Sequence, residues 1–167
     1  MSLSLQHLSQ AILDACRKAG SVYPDDAPPL LAHSSRHQKR QRYFLTKKLP
    51  LWRAQRHAFT YLFRVPVLDF NSMAQCLDTA LEQGTAQIKP GQEHRSWDIC
   101  VILLCDRAQP DALERLEQYR HAAAYRLGLL GRMQVRAVAV DGSTGELTHN
   151  RGGKALSGLV ASVITQE

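Results

Sequence analysis

Apolar residues near the start of the chain recur at three- and four-residue steps. Leu5, Leu8, Ile12 and Ala15 or Cys16 share one stripe, which predicts an amphipathic helix from Leu3 to Ala19 stopped by Gly20. Tyr23 to Pro29 reads as a loop from its proline and aspartate content. Leu30 to Lys48 is polar and basic with weak periodicity, compatible with a helix or a partly ordered arm, and Pro50 opens a helical turn through Leu51, Trp52 and Ala54. Phe59, Tyr61, Phe63, Val65 and Val67 then alternate onto one face, the pattern of a strand, which Pro66 either ends early or places at a sheet edge. Asn71-Ser72 caps a helix with Met73, Cys76, Leu77, Ala80 and Leu81 on one stripe and Gly84 as its stop. Thr85 to Ile88 is a candidate short strand, and Lys89 to Gln92 a turn.

The second half is more regular. Trp97 to Cys105 carries a continuous apolar core, as expected of a strand buried on both faces. Pro110 and Asp111 suit the first turn of a helix, which the pattern extends to Leu130 with Gly131 as terminator. Val135 to Val140 is another apolar strand. Asp141 to Gly145 is a hairpin turn returning through Leu147 and Thr148, Asn150 to Gly153 a second turn, and Lys154 to Ile164 a closing helix. A buried strand, a helix and a second buried strand form a parallel crossover, so Ile99 to Cys105 and Val135 to Val140 are expected as neighbours. The expected fold class is α/β: a single domain with a mixed, mostly parallel sheet flanked by helices. Residues 1–58 supply an N-terminal helix and a basic segment, and 59–167 the α/β core.

A chain of 167 residues suits one domain. Its longest apolar run, Ile99 to Cys105, falls far short of the ~20 residues that span a bilayer. No basic start followed by an apolar block marks a signal peptide. The four cysteines, Cys16, Cys76, Cys100 and Cys105, form no C-x-x-C pair. Reduced, buried thiols and a cytoplasmic location are expected, with Cys100 and Cys105 on opposite faces of their strand.

Charge changes the picture most. Between Pro28 and Leu68 there is no Asp or Glu, but nine basic residues: Arg36, Lys39, Arg40, Arg42, Lys47, Lys48, Arg53, Arg56 and Arg64. The remainder holds 12 basic and 15 acidic residues, so a mildly acidic body carries one basic segment. Tyr43, Phe44, Trp52, Phe59, Tyr61 and Phe63 are interleaved with these charges. Cations neutralise phosphates and rings stack on unpaired bases, although the alternating rings also suit a core face. The expectation is a non-enzymatic protein that binds DNA or RNA through Arg36, Lys39, Arg40, Arg42, Lys47, Lys48, Arg53 and Arg56. The alternative is an assembly module that pairs the segment with another protein or a second copy of itself.

Other chemistry is sparse. Asp106 and Asp141 each end a predicted strand, where open α/β sheets bind ligands, and two carboxylates there could hold Mg²⁺; aspartate is equally common where a strand turns into a loop. His94 and Asp98, and Glu117 and His121, stand four apart, the second pair on one helical face, without the further ligands a metal needs. Asn150-Arg151-Gly152-Gly153-Lys154 opens a helix and suits either a simple turn or an anion nest, but matches no nucleotide fingerprint. No cofactor or metal is therefore expected. The helix and strand succession from Asn71 to Val140 resembles the core of the PD-(D/E)xK nuclease superfamily, with Asp98 in the place of the first acid and Gln118 and Tyr125 in those of the glutamine and tyrosine of the following helix. No acid-x-lysine follows Asp98; the nearest text is Cys105-Asp106-Arg107. The resemblance covers under half the chain and implies a degenerate nuclease fold as a second alternative.

Overall fold

The computed structural model describes residues 4–24, 28–43, 50–90 and 94–166, with the backbone alone for 38–43, 50–55 and 94. The elements run α1 (Leu5–Ala19), β1 (Ser21–Pro24), β2 (Leu30–Tyr43), β3 (Pro50–Leu68), α2 (Phe70–Ala86), β4 (His94–Ala108), α3 (Pro110–Gln118), β5 (Ala122–Ala124), β6 (Arg132–Asp141), β7 (Leu147–His149), a 3-10 turn (Arg151–Gly153) and α4 (Lys154–Ile164). The strands form one mixed sheet in the order β1-β2-β3-β4-β6-β5, with β7 also on β6. β1, β2 and β3 make an antiparallel meander, and β3, β4 and β6 run parallel. The fold is thus α/β, and the expected β4–β6 neighbours pair from Ser96↔Arg132 to Cys105↔Asp141.

Strand alternation sorts the core into two layers. Odd positions of β3, β4 and β6, such as Phe59, Tyr61, Phe63, Ile99, Val101, Val135 and Ala137, pack beneath Met73, Cys76, Leu77 and Ala80 of α2 and Leu116 of α3. Even positions, Leu62, Ile102, Leu104, Val138 and Val140, pack beneath Leu5, Leu8 and Ile12 of α1 and Val160 of α4. Both crossover helices, α2 and α3, lie on one face, as crossovers of one hand moving in one direction along a sheet must. Cys100 and Cys105 fall on opposite faces as their odd spacing requires, and burial pushes both thiols up to about 12.

Several expectations are corrected. Leu30–Tyr43 is neither helix nor arm but a strand, and Pro50–Leu68 is a strand from its first residue; each is held by the other's backbone from Leu30↔Phe63 to Tyr43↔Pro50. Backbone pairing does not require apolar alternation, so a polar strand leaves no such trace. Pro66 does not end β3, which runs to Leu68, but it stands past Leu30↔Phe63, the last β2–β3 pair, where that side of the strand is an edge among the described residues. Arg64 donates its N–H to Pro29 on the β2 side, and the proline nitrogen two residues on points the same way, beyond the end of β2.

Gly84 lies inside α2 rather than ending it, because a side chain there would press into Ile99. The helix carries on to Ala86, leaving no strand at 85–88. Its N-cap is Asp69, two residues before the expected Asn71-Ser72, in a reciprocal box with Ser72; the bond from the Ser72 N–H holds the Asp69 carboxyl below its ordinary range.

Finally, α3 stops at Gln118, and Ala122–Ala124 is a strand despite the helical preference of alanine. The β6 edge recruits this stretch: Val135 donates to the His121 carbonyl. The return to β6 passes Gly131 at φ 117, where only glycine fits against the Trp97 ring. Of the turn expected at Lys89 to Gln92, residues 91 and 92 lie outside the described residues.

Candidate functional site

The basic segment is a long hairpin. Register sets Arg36 against Ala58, Gln38 against Arg56, Lys39 against Gln55, Arg40 against Ala54 and Arg42 against Trp52, so cations from both strands gather on one two-stranded ribbon. β1 covers the outer edge of β2 only to Ser35. Beyond that point no strand among the described residues pairs with it. Arg36 is exposed. Lys47 and Lys48 lie outside the described residues, and Lys39, Arg40, Arg42 and Arg53 are described by backbone alone.

Arg56 is the root of the ribbon, and it is not free. Its Nε and Nη2 each donate to Asp98 Oδ2 at 2.8 Å. The other carboxylate oxygen takes Arg136 Nε at 3.0 Å and Gln134 Nε2 at 3.1 Å. Asp98 is buried at 4% exposure and joins three strands: Arg56 on β3, itself on β4, Arg136 and Gln134 on β6. A buried carboxylate with four donors is a satisfied group, and its two guanidiniums leave the cluster with a net positive charge. Arg64, the ninth cation, sits 3.8 Å from Asp106 with both side chains largely exposed, a contact of little energetic weight.

Across the opposite face runs a row of rings. His37 and His57 stack at 4.1 Å and 5°, and His57 continues to Trp97 at 6.3 Å and 17°. Tyr125 meets Trp97 edge-on at 5.7 Å. Burial, then His37 and Arg95, hold the His57 imidazole below its ordinary pKa. Phe59, Tyr61 and Phe63 are core residues rather than an exposed stacking surface.

The remaining candidates are accounted for structurally. Asp141 accepts from Ser143 and from the Ala108 N–H, tying the β6–β7 turn to the end of β4. Burial raises its carboxyl, but these bonds together leave it below the ordinary range. Asp106 is exposed. Gln118 ends α3, Tyr125 lies beyond β5, and His121 is outside the helix, so neither the nuclease-like helix pair nor the Glu117–His121 face forms. In the nuclease-like reading Asp98 would have to reach a metal, yet each of its oxygens is already held by arginine. No group of three or more potential metal ligands occurs among the described residues.

Sequence reasoning missed two features. Asn150 is buried at 2% exposure and sits where β6 has no strand beside it. Its carbonyl accepts from the Ala137 N–H at 2.9 Å, and its amide donates to Val135 at 3.1 Å and Tyr119 at 3.2 Å, so one side chain replaces a rung between β5 and β7. Gln118 to Val140 is also free of Asp and Glu and carries Arg120, Arg126, Arg132 and Arg136, a second acid-free window visible in the sequence. The isolated Asn offered no comparable signal.

A mixed sheet with its acid-free window folded into the β2–β3 hairpin and a second acid-free window running into β6 defines an α/β protein. The chain belongs to the family described as "Domain of unknown function (DUF8052)", which matches residues 26–161. No curated protein and no solved structure matches it.

Proposed function

We propose that the β2–β3 hairpin is a nucleic-acid-binding ribbon with little sequence preference. The observation that supports this most is the register, which folds a single acid-free window back on itself and sets Arg36, Lys39, Arg40 and Arg42 beside Arg53 and Arg56. Cations so gathered have no carboxylate on either strand to neutralise them, and a two-stranded ribbon has the width of a duplex groove. Asp98 fastens the root through Arg56 while the opposing Arg136 keeps that anchor from cancelling the local positive charge.

Fluorescence anisotropy with random duplex and single strands at two salt concentrations tests this. Log affinity is expected to fall against log salt with a slope of about −0.9 per duplex phosphate neutralised. Converting Arg36, Lys39, Arg40 and Arg42 together to glutamine weakens binding to every sequence and flattens the slope. Absence of binding at low salt eliminates the reading. It would favour the assembly alternative, for which sedimentation across a salt series should show an oligomer that dissociates as salt rises.

A further inference from the structure

The edge of the sheet remote from the ribbon carries a cleft of about 350 Å³ between the end of α3, β5 and the turn leading into α4. Arg120, His121 and Arg151 line it, with Tyr119, Ala122 and Val135 as an apolar wall and no carboxylate. Among the described residues neither arginine has an acidic partner, in contrast to Arg56 and Arg136. Its floor is fixed. Asn150 bonds Tyr119, Val135 and Ala137 at once, and it stands next to Arg151 while Tyr119 stands next to Arg120. The one side chain therefore sets the spacing of the two backbone segments that bear the arginines.

We propose that this cleft binds a phosphomonoester. Two unpaired guanidiniums on segments held at fixed spacing present forked donors to a tetrahedral dianion, the geometry arginine matches best. Preorganisation lowers the ordering cost of binding. The volume lies within the ~300–1,000 Å³ of small-molecule sites and exceeds what a bare phosphate fills, and the apolar wall accepts the organic group that carries the phosphate. The phosphate could belong to a free nucleotide or to the 5′ end of a nucleic acid strand. β3, β4 and β6 separate the cleft from the outer edge of the ribbon, and Gln134, which lines the cleft and donates to Asp98, is the link between them.

Isothermal titration of the full chain with AMP, inorganic phosphate and adenosine provides the test, run on the wild type, on R120Q/R151Q and on the fourfold ribbon variant. AMP is expected to bind the wild type and the ribbon variant alike, adenosine to bind neither, and R120Q/R151Q to lose at least about tenfold in affinity with its thermal midpoint unchanged. A short 5′-phosphorylated oligonucleotide is then compared with its 5′-hydroxyl form on the ribbon variant. A preference abolished by R120Q/R151Q assigns the site to strand ends, and indifference to the 5′ group alongside AMP binding assigns it to a free nucleotide. Failure of both AMP and phosphate to bind at low salt, or equal AMP affinity in R120Q/R151Q, overturns the proposal. With the duplex and single strands of the ribbon test made without terminal phosphates, either site can fail while the other stands.

Discussion

Asp98 and Asn150, two of the three buried polar side chains among the described residues with Asp141, bond across strands to partners that sequence distance hides. Asp98 is visible as a lone acid at the start of an apolar strand, but its partners Arg56 and Arg136 lie 42 and 38 residues away, and no local rule joins them. Asp98→Ala removes one partner from two cations. Breaking a fully buried pair costs ~3–5 kcal/mol; with Arg56 half-exposed and able to rehydrate, about 2–3 kcal/mol is expected, read as a lower urea midpoint. Asn150→Ala leaves the Ala137 N–H and the Val135 and Tyr119 carbonyls without that partner, at roughly 1–3 kcal/mol for each buried orphan that water cannot reach. Asn150→Asp should be worse, since an acceptor then faces two carbonyls. If Asn150→Ala were as stable as wild type in chemical denaturation, the side chain would not be acting as a strand rung.

At the scale of elements, α1, α2, β4, β6 and α4 were legible because each buries a stripe or an alternating set, and burial is what hydrophobic pattern records. β2 and the outer part of β3 were not, because polar strands are held there by backbone bonds to each other. The end of α3 was misread for the opposite reason: local preference favoured helix through three alanines, and the β6 edge overrode it. Across the β2–β3 pair His57, stacked on His37, introduces a pH dependence. The His57 pKa is lower in the folded protein than its ordinary 6.5, so the unfolded chain takes up the proton first. Stability should therefore be full above pH 6.5 and decline as pH falls from there through the folded value, a loss that begins above the range in which Asp69 and Asp141, held below 3.8, lose theirs. Thermal midpoints from pH 8 to 5 check this, and His57→Phe, which keeps a stacking ring, should flatten the profile. An unchanged slope in that variant would assign the dependence elsewhere.

Over the whole molecule, sequence alone located the first basic window but not its shape, and the second window passed unnoticed because its arginines are spread over a turn and two strands. Among the described residues no helix is long and apolar enough to cross a membrane. The four cysteines are free thiols: Cys76, Cys100 and Cys105 are buried, and burial pushes each up to about 12, whereas Cys16 is only half-buried. Ellman's reagent at pH 8 should reach Cys16 alone in the native protein and all four in urea, and Cys16→Ser should abolish the native reaction; modification of a second native thiol would show that a core layer opens.

The Asn150 rung bears on the order in which the chain is completed at the ribosome. When Asp141 has emerged, β6 can already pair with β4 and, at Arg132 to Gln134, with β5, but its far edge from Ala137 to Val140 must wait for β7 and Asn150. Until then an apolar strand runs uncovered at the margin of the sheet, the arrangement most prone to capture by a neighbouring chain. A nascent protein stalled before residue 147 should therefore aggregate or recruit chaperones, and emergence of residues 147–150, rather than formation of the central strands, should end that exposure.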